Sequence, residues 1–139
     1  MDGRVAWGND NAPQIVIVDS DAVARRGLLM LLKSHGFEVK AYALGKSLLA
    51  DLNARAARLL ITESHMPDYD GVGLLRAFGD TGWYGASLML GRGDAGELRP
   101  WALAGGFDEF LSLPCREHAL MLAIAGLLPS APASPSSRL

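Results

Sequence analysis

Leu59-Leu-Ile-Thr-Glu-Ser-His-Met-Pro-Asp-Tyr-Asp-Gly71 changes character twice within a short span. It begins as an apolar run, preceded by Arg58, of the kind that forms a strand buried on both faces. It then crosses a polar turn carrying Glu63, Ser64, His65 and Pro67, and it ends with Asp70 placed to cap a helix running to Phe78. The same alternation recurs on either side. Further strands are predicted at residues 14–18, 37–42, 86–90 and 108–113, and further helices at 21–34, 45–55, 93–104 and 114–128. Asp21 is expected to open the first helix and Gly36 to close it in the left-handed conformation. Pro114 suits a first helical turn, whereas Pro100 should kink the fourth helix or delay its start. Five strands alternating with five helices describe an α/β domain whose parallel sheet is covered on both faces.

Composition narrows the function. The chain has 139 residues, half of them hydrophobic, enough for one respectable core but not two. The resulting organisation is a flexible arm at 1–13, one domain at 14–128 and a linker-like tail at 129–139, rich in proline, serine and alanine. A formal net charge of −2 lacks the basic footprint that nucleic-acid phosphates require, so this segment is not expected to bind DNA alone. A single cysteine, Cys115, cannot form an internal disulfide, and no run approaches a membrane span or a secretion signal. These features point to a reducing, cytoplasmic setting without membrane contact.

In open parallel sheets, function gathers at the carboxyl ends of the strands. Those ends carry Asp19-Ser20-Asp21, Glu63-Ser64-His65-Met66-Pro67, Gly91-Arg92 and Leu113-Pro114. Together with Ile15-Val-Ile-Val-Asp-Ser-Asp21, the stretch from Leu59 to Gly71, and Ala104-Gly-Gly-Phe-Asp-Glu-Phe-Leu-Ser-Leu-Pro114, this layout resembles the receiver domain of bacterial two-component response regulators. The resemblance covers about residues 14–128. It implies a flavodoxin-like, doubly wound (βα)5 fold with strand order 2-1-3-4-5.

In that family a phosphoryl group passes from a histidine kinase to an aspartate at the end of the third strand. Two acidic residues after the first strand help hold Mg²⁺, and a hydroxyl after strand four and a lysine after strand five contact the phosphoryl oxygens. This chain departs at nearly every such position. Glu63 replaces the aspartate, and its extra methylene displaces the carboxylate where in-line transfer tolerates little error. Asp19 remains but its acidic partner is Ser20, the hydroxyl position is Gly91, and the lysine position is Leu113. The expectation is a degenerate phosphoacceptor site with no catalytic residue, no resident metal or other cofactor, and weak or absent Mg²⁺ binding. Glu63 either supplies a permanent negative charge or merely faces water, and its phosphorylation is the alternative. His65 near Asp19 and Glu63 lacks an evident third metal ligand, and Cys115 lacks a histidine base.

The family commonly uses the surface of helix four, strand five and helix five for dimerisation or effector docking. Here helix five reads Ala119-Leu-Met-Leu-Ala-Ile-Ala-Gly-Leu-Leu128 without a charge. Leu120, Ile124 and Leu127 make a core stripe, leaving Met121, Ala125 and Leu128 on an apolar flank that suits a homodimer or protein partner. Trp101 is either an interface anchor or a cover for the core near Pro100. Phe110 occupies the family's aromatic switch position, but opposite Gly91 it is expected to be a fixed core ring. The terminal Ser-Ser-Arg-Leu resembles the linker of receivers attached to a LuxR-like (FixJ-type) helix-turn-helix domain, through which a longer protein would reach DNA. A stand-alone adaptor is the other organisation.

Overall fold

Apolar runs in the expected places form five strands, Ile15–Val18 (β1), Val39–Tyr42 (β2), Leu59–Glu63 (β3), Ala86–Gly91 (β4) and Glu109–Ser112 (β5). They pair in parallel in the order β2-β1-β3-β4-β5. The computed structural model describes residues 13–128. The expected arm up to residue 12 and the tail at 129–139 lie outside the described residues, while Pro13, assigned to the arm, is buried.

Alternation along the strands divides the core into layers. Ile15, Ile17, Leu59, Ile61 and Leu88 meet Leu32 of helix Ala22–Ser34 (α1) and Leu120 and Ile124 of helix Glu117–Leu127 (α5). On the opposite face Val16, Val18 and Leu60 meet Leu48 of helix Gly45–Ala50 (α2) and Leu74 and Phe78 of helix Gly71–Asp80 (α3). Trp83 closes that layer, stacking on Phe78 with centroids 4.5 Å apart and donating its indole N–H to the Ala57 carbonyl at 2.8 Å. Met89, Phe107 and Phe110 form a third cluster under helix Ala95–Ala104 (α4) with Ala102.

The helix ends follow local chemistry. Asp21, Asp70 and Asp94 cap α1, α3 and α4 by accepting backbone N–H bonds from Val23, Gly73 and Gly96. Gly36 has φ 92°, its N–H bonds to the Lys33 carbonyl, and that of Phe37 bonds to the Leu32 carbonyl. That pair of bonds is a Schellman closure, which favours glycine at this position.

Three expectations need correction. The helix predicted over 45–55 ends at Ala50 and gives way to a 3₁₀ turn, Leu52–Ala56. Asp51 interrupts it: one carboxylate oxygen accepts from the Asn53 N–H, and the other accepts from Lys40 Nζ at 2.6 Å and Tyr42 OH at 2.8 Å, fastening the break to β2. Pro114 is not in a first helical turn, because α5 begins at Glu117 with Arg116 as its cap. The fourth helix starts at Ala95, later than 93, and Pro100 lies in its middle.

The Lys40 hydrogen bond, followed by that of Tyr42, holds the Asp51 carboxyl below its usual range. A depressed folded pKa contributes stability that is present above the unfolded value and lost as pH falls through the folded one. Chemical denaturation below about pH 4 should therefore erode wild-type stability more steeply than that of Asp51→Asn. At neutral pH the variant should be the less stable of the two.

Candidate functional site

The parallel register that sets Val18 opposite Thr62 puts the residues following β1 beside the end of β3. Glu63 turns its carboxylate toward that turn, where Oε2 accepts from the Ser20 backbone N–H at 2.7 Å and from Ser20 Oγ at 2.6 Å. The extra methylene that separates glutamate from aspartate supplies the reach. Asp19 Oδ1 accepts from the Asp21 N–H at 2.9 Å, and the Asp19 carbonyl accepts from Arg25 Nη1 at 2.9 Å. Burial pushes the Asp19 carboxyl above its ordinary range, and the charges of Glu63 and Asp21 add to this. The Asp21 N–H and the Arg92 guanidinium oppose it.

The hydroxyl and lysine positions are filled by apolar packing. A Cβ added at Gly91 would lie 2.6 and 2.8 Å from Phe110 ring carbons and 3.0 Å from Leu98 Cδ1. Phe110 is fully buried, with the Arg99 guanidinium 5.2 Å from its centroid. Leu113 donates its N–H to the Gly91 carbonyl at 2.8 Å and packs its side chain partly into the cluster of Leu90 and Leu120. Cys115 joins the edge of that cluster, a packed thiol.

His65 is occupied elsewhere. Its ring stacks on Trp101 with centroids 5.5 Å apart and planes at 9°, and Nδ1 lies 3.2 Å from Ser64 Oγ. Trp101 itself is partly buried and packs against the third core cluster. Among the described residues no group of three or more histidine, cysteine, aspartate or glutamate side chains is arranged to hold a metal ion.

On helix five, Met121 and the cap residue Leu128 are partly buried and pack beside Leu120 and Ile124, as does Leu127 of the stripe assigned to the core. Ala125 is exposed as expected. The large apolar side chain that α5 presents to water is Leu122, 60% exposed, and on α4 it is Leu103. Sequence reasoning passed over Leu122 and over the two donors of Ser20. The first needed the true helix phase, and the second needed two distant segments brought side by side.

The pattern of the response regulator receiver domain matches residues 15–125. The chain is similar to the response regulator protein TmoT of Ectopseudomonas mendocina, at 30% identity over 89% of this chain and 56% of that protein. It is also similar to the transcriptional regulatory protein FixJ of Rhizobium meliloti, at 31% identity over 78% of this chain and 53% of that protein. The chain thus spans about half the length of these curated relatives. The solved FixJ-N structure superposes with a TM-score of 0.71 at 29% identity, covering 79% of this chain and 88% of that one. The chemotaxis protein CheY4 of Vibrio cholerae shares the fold, with a TM-score of 0.76 at 22% identity, over 84% of this chain and 99% of that one.

Substitutions at positions 91, 110 and 19 probe this geometry. Gly91→Ser should destabilise the domain by about 1–3 kcal/mol, the usual cost of overpacking, and adding Phe110→Leu should recover part of the loss in thermal melting. Asp19→Asn should raise the melting temperature at neutral pH. An acid whose folded pKa is raised costs stability above that pKa, so the gain should vanish in acid, where wild-type Asp19 is protonated both folded and unfolded.

Proposed function

The chain belongs to the response regulator receiver domain family, and from that membership we propose that its output does not depend on phosphoryl transfer. A receiver domain is a signalling module of two-component systems, so the open question is what drives this one. The observation that carries the proposal is the pair of short hydrogen bonds from Ser20 to Glu63 Oε2. Glu63 is a structural acid that joins the ends of β1 and β3 through Oε2, and the two hydrogen bonds draw off carboxylate charge that an attack on a phosphoryl donor would need. Mg²⁺ prefers several carboxylate oxygens in near-octahedral array. The donors here are Asp19, whose charged form burial disfavours, one carboxylate already hydrogen-bonded twice, and a serine hydroxyl. They do not suit that ion.

The reading in which Glu63 is itself the phosphoacceptor lacks the groups that would hold its product. Gly91 and Leu113 offer no side-chain donor, and the space at Gly91 is taken by Phe110.

Signalling without phosphate must act through surface. The surface built by α4, β5 and α5 offers Leu103, Ala125 and Leu122 to a protein partner or a second copy, with Trp101 half-buried behind. The relatives named as transcriptional regulators extend to about twice the matched length. We therefore place this domain as the regulatory part of a DNA-binding regulator, with no nucleic-acid contact of its own.

Acetyl phosphate or beryllofluoride with Mg²⁺ should leave mass, tryptophan fluorescence and sedimentation unchanged. A phosphorylated species at Glu63, or saturable Mg²⁺ binding at physiological concentration, would overturn the reading. In sedimentation at high concentration, Leu122→Glu should shift any self-association toward monomer while the circular dichroism spectrum stays that of the wild type. An unchanged distribution would move the contact off α5.

A further inference from the structure

Residues 22, 25, 26, 29 and 33 follow one another at helical spacing along one side of α1, and they face β2 across an open groove of about 520 Å³. The floor is apolar, from Leu29, Val39 and Ala41, and the α1 wall carries Arg25, Arg26 and Lys33. Among the described residues no carboxylate lines it. Arg26 and Lys33 are exposed, and among the described residues neither has an ion-pair partner. Arg25 spends one donor on the Asp19 carbonyl and keeps its charge. Lys40 also lines the groove, but its ammonium is paired with Asp51 at 2.6 Å and is not counted with the three. Three cations in one short groove, on a chain of net charge −2, are a local concentration of positive charge.

The second wall is an open sheet edge, since β2 is the outermost strand. The carbonyls of Glu38 and Tyr42 accept from the Ile15 and Asp19 N–H groups, at 3.1 and 3.0 Å. In a parallel strand, alternate residues turn their peptide groups to opposite sides. Val39 and Ala41 therefore direct theirs away from β1, to the edge. Among the described residues these peptide groups have no backbone partner, and with an apolar floor and a row of cations they describe a place where a strand can be added.

We propose that the β2 edge and the cationic side of α1 form a docking site for an extended segment of a partner protein that carries carboxylates on alternate residues. Same-side residues of an added strand repeat about every 7 Å, and Arg26 and Lys33 are about 10 Å apart along the helix. Two successive carboxylates on one side of the segment fall within reach of both. Nucleic acid fits less well, because the overall negative charge repels a long polyanion and the cations extend over one groove only.

The test is fluorescence anisotropy of a labelled peptide, Glu-Val repeated three times, titrated with the whole chain. The peptide should bind saturably and more weakly as salt is raised. Reversing both charges, with Arg26→Glu and Lys33→Glu together, should weaken binding on the order of tenfold. Both sites are exposed, and circular dichroism checks that the fold is intact. A peptide N-methylated on alternate residues keeps its charge but loses strand pairing, so it should fail to bind. Absence of saturable binding, equal binding of a Lys-Val peptide, or binding that survives either charge reversal or N-methylation would overturn the proposal. So would a response only to a single-stranded oligonucleotide or to anionic phosphatidylserine vesicles.

Discussion

The parallel pairing of β1 with β3 governs everything functional in this domain. Both strands are buried along their apolar residues, Ile15–Val18 and Leu59, Leu60 and Ile61, with helices on each side. Slipping the register by one residue would exchange the two core layers wholesale, so the pairing has no freedom to adjust. Whatever follows each strand is carried to the same end of the sheet. Asp19 and Glu63 are consequently held together by the core behind them and not by attraction for one another. Two carboxylates in that position repel, and burial already disfavours the charge on Asp19. The Ser20 N–H and hydroxyl offset part of this by hydrogen-bonding the charged form of Glu63.

The same closure occurs at the other positions around the strand ends. Phe110 takes the space a side chain at 91 would need, Leu113 turns into the aliphatic cluster under α5, and His65 lies flat on Trp101. Each is an ordinary packing or hydrogen-bonding solution. Together they replace a set of groups that would wait for a ligand with a set that is satisfied internally. No buried side-chain polar atom among the described residues lacks a partner. A site built this way leaves no side-chain group waiting for a phosphoryl group, which supports the proposed phosphate-independent output.

If chemistry has left the strand ends, specificity must reside on the outside of the layers. The two outer strands differ in this respect. β5 is flanked by α4 and α5, whose exposed side chains include Leu103 and Leu122, whereas β2 is flanked by the cationic side of α1. An apolar patch gains free energy by leaving water and discriminates little by charge. A cationic groove at a sheet edge selects by charge and by backbone pairing. The two surfaces therefore suit different kinds of partner, on opposite edges of one rigid sheet.

Apolar runs and their turn residues determined the strand and helix order and the caps at Asp21, Asp70 and Gly36, while the resemblance to the receiver family marked the missing acid, hydroxyl and lysine at positions 20, 91 and 113. These are local properties, set by backbone conformation and by which chemical groups each residue possesses. The break at Asp51 was not legible, because it depends on Lys40 and Tyr42 from a neighbouring strand. Nor was the exposure round α5, where Met121 and the cap residue Leu128 are half-buried and Leu122 faces outward, since a helix apolar nearly all round does not declare which arc it buries. Only the tertiary structure joined Ser20 to Glu63 across 43 residues of chain and filled the space at Gly91 with Phe110. Contacts of that kind follow from strand register and three-dimensional packing, which composition and periodicity do not encode at any single position.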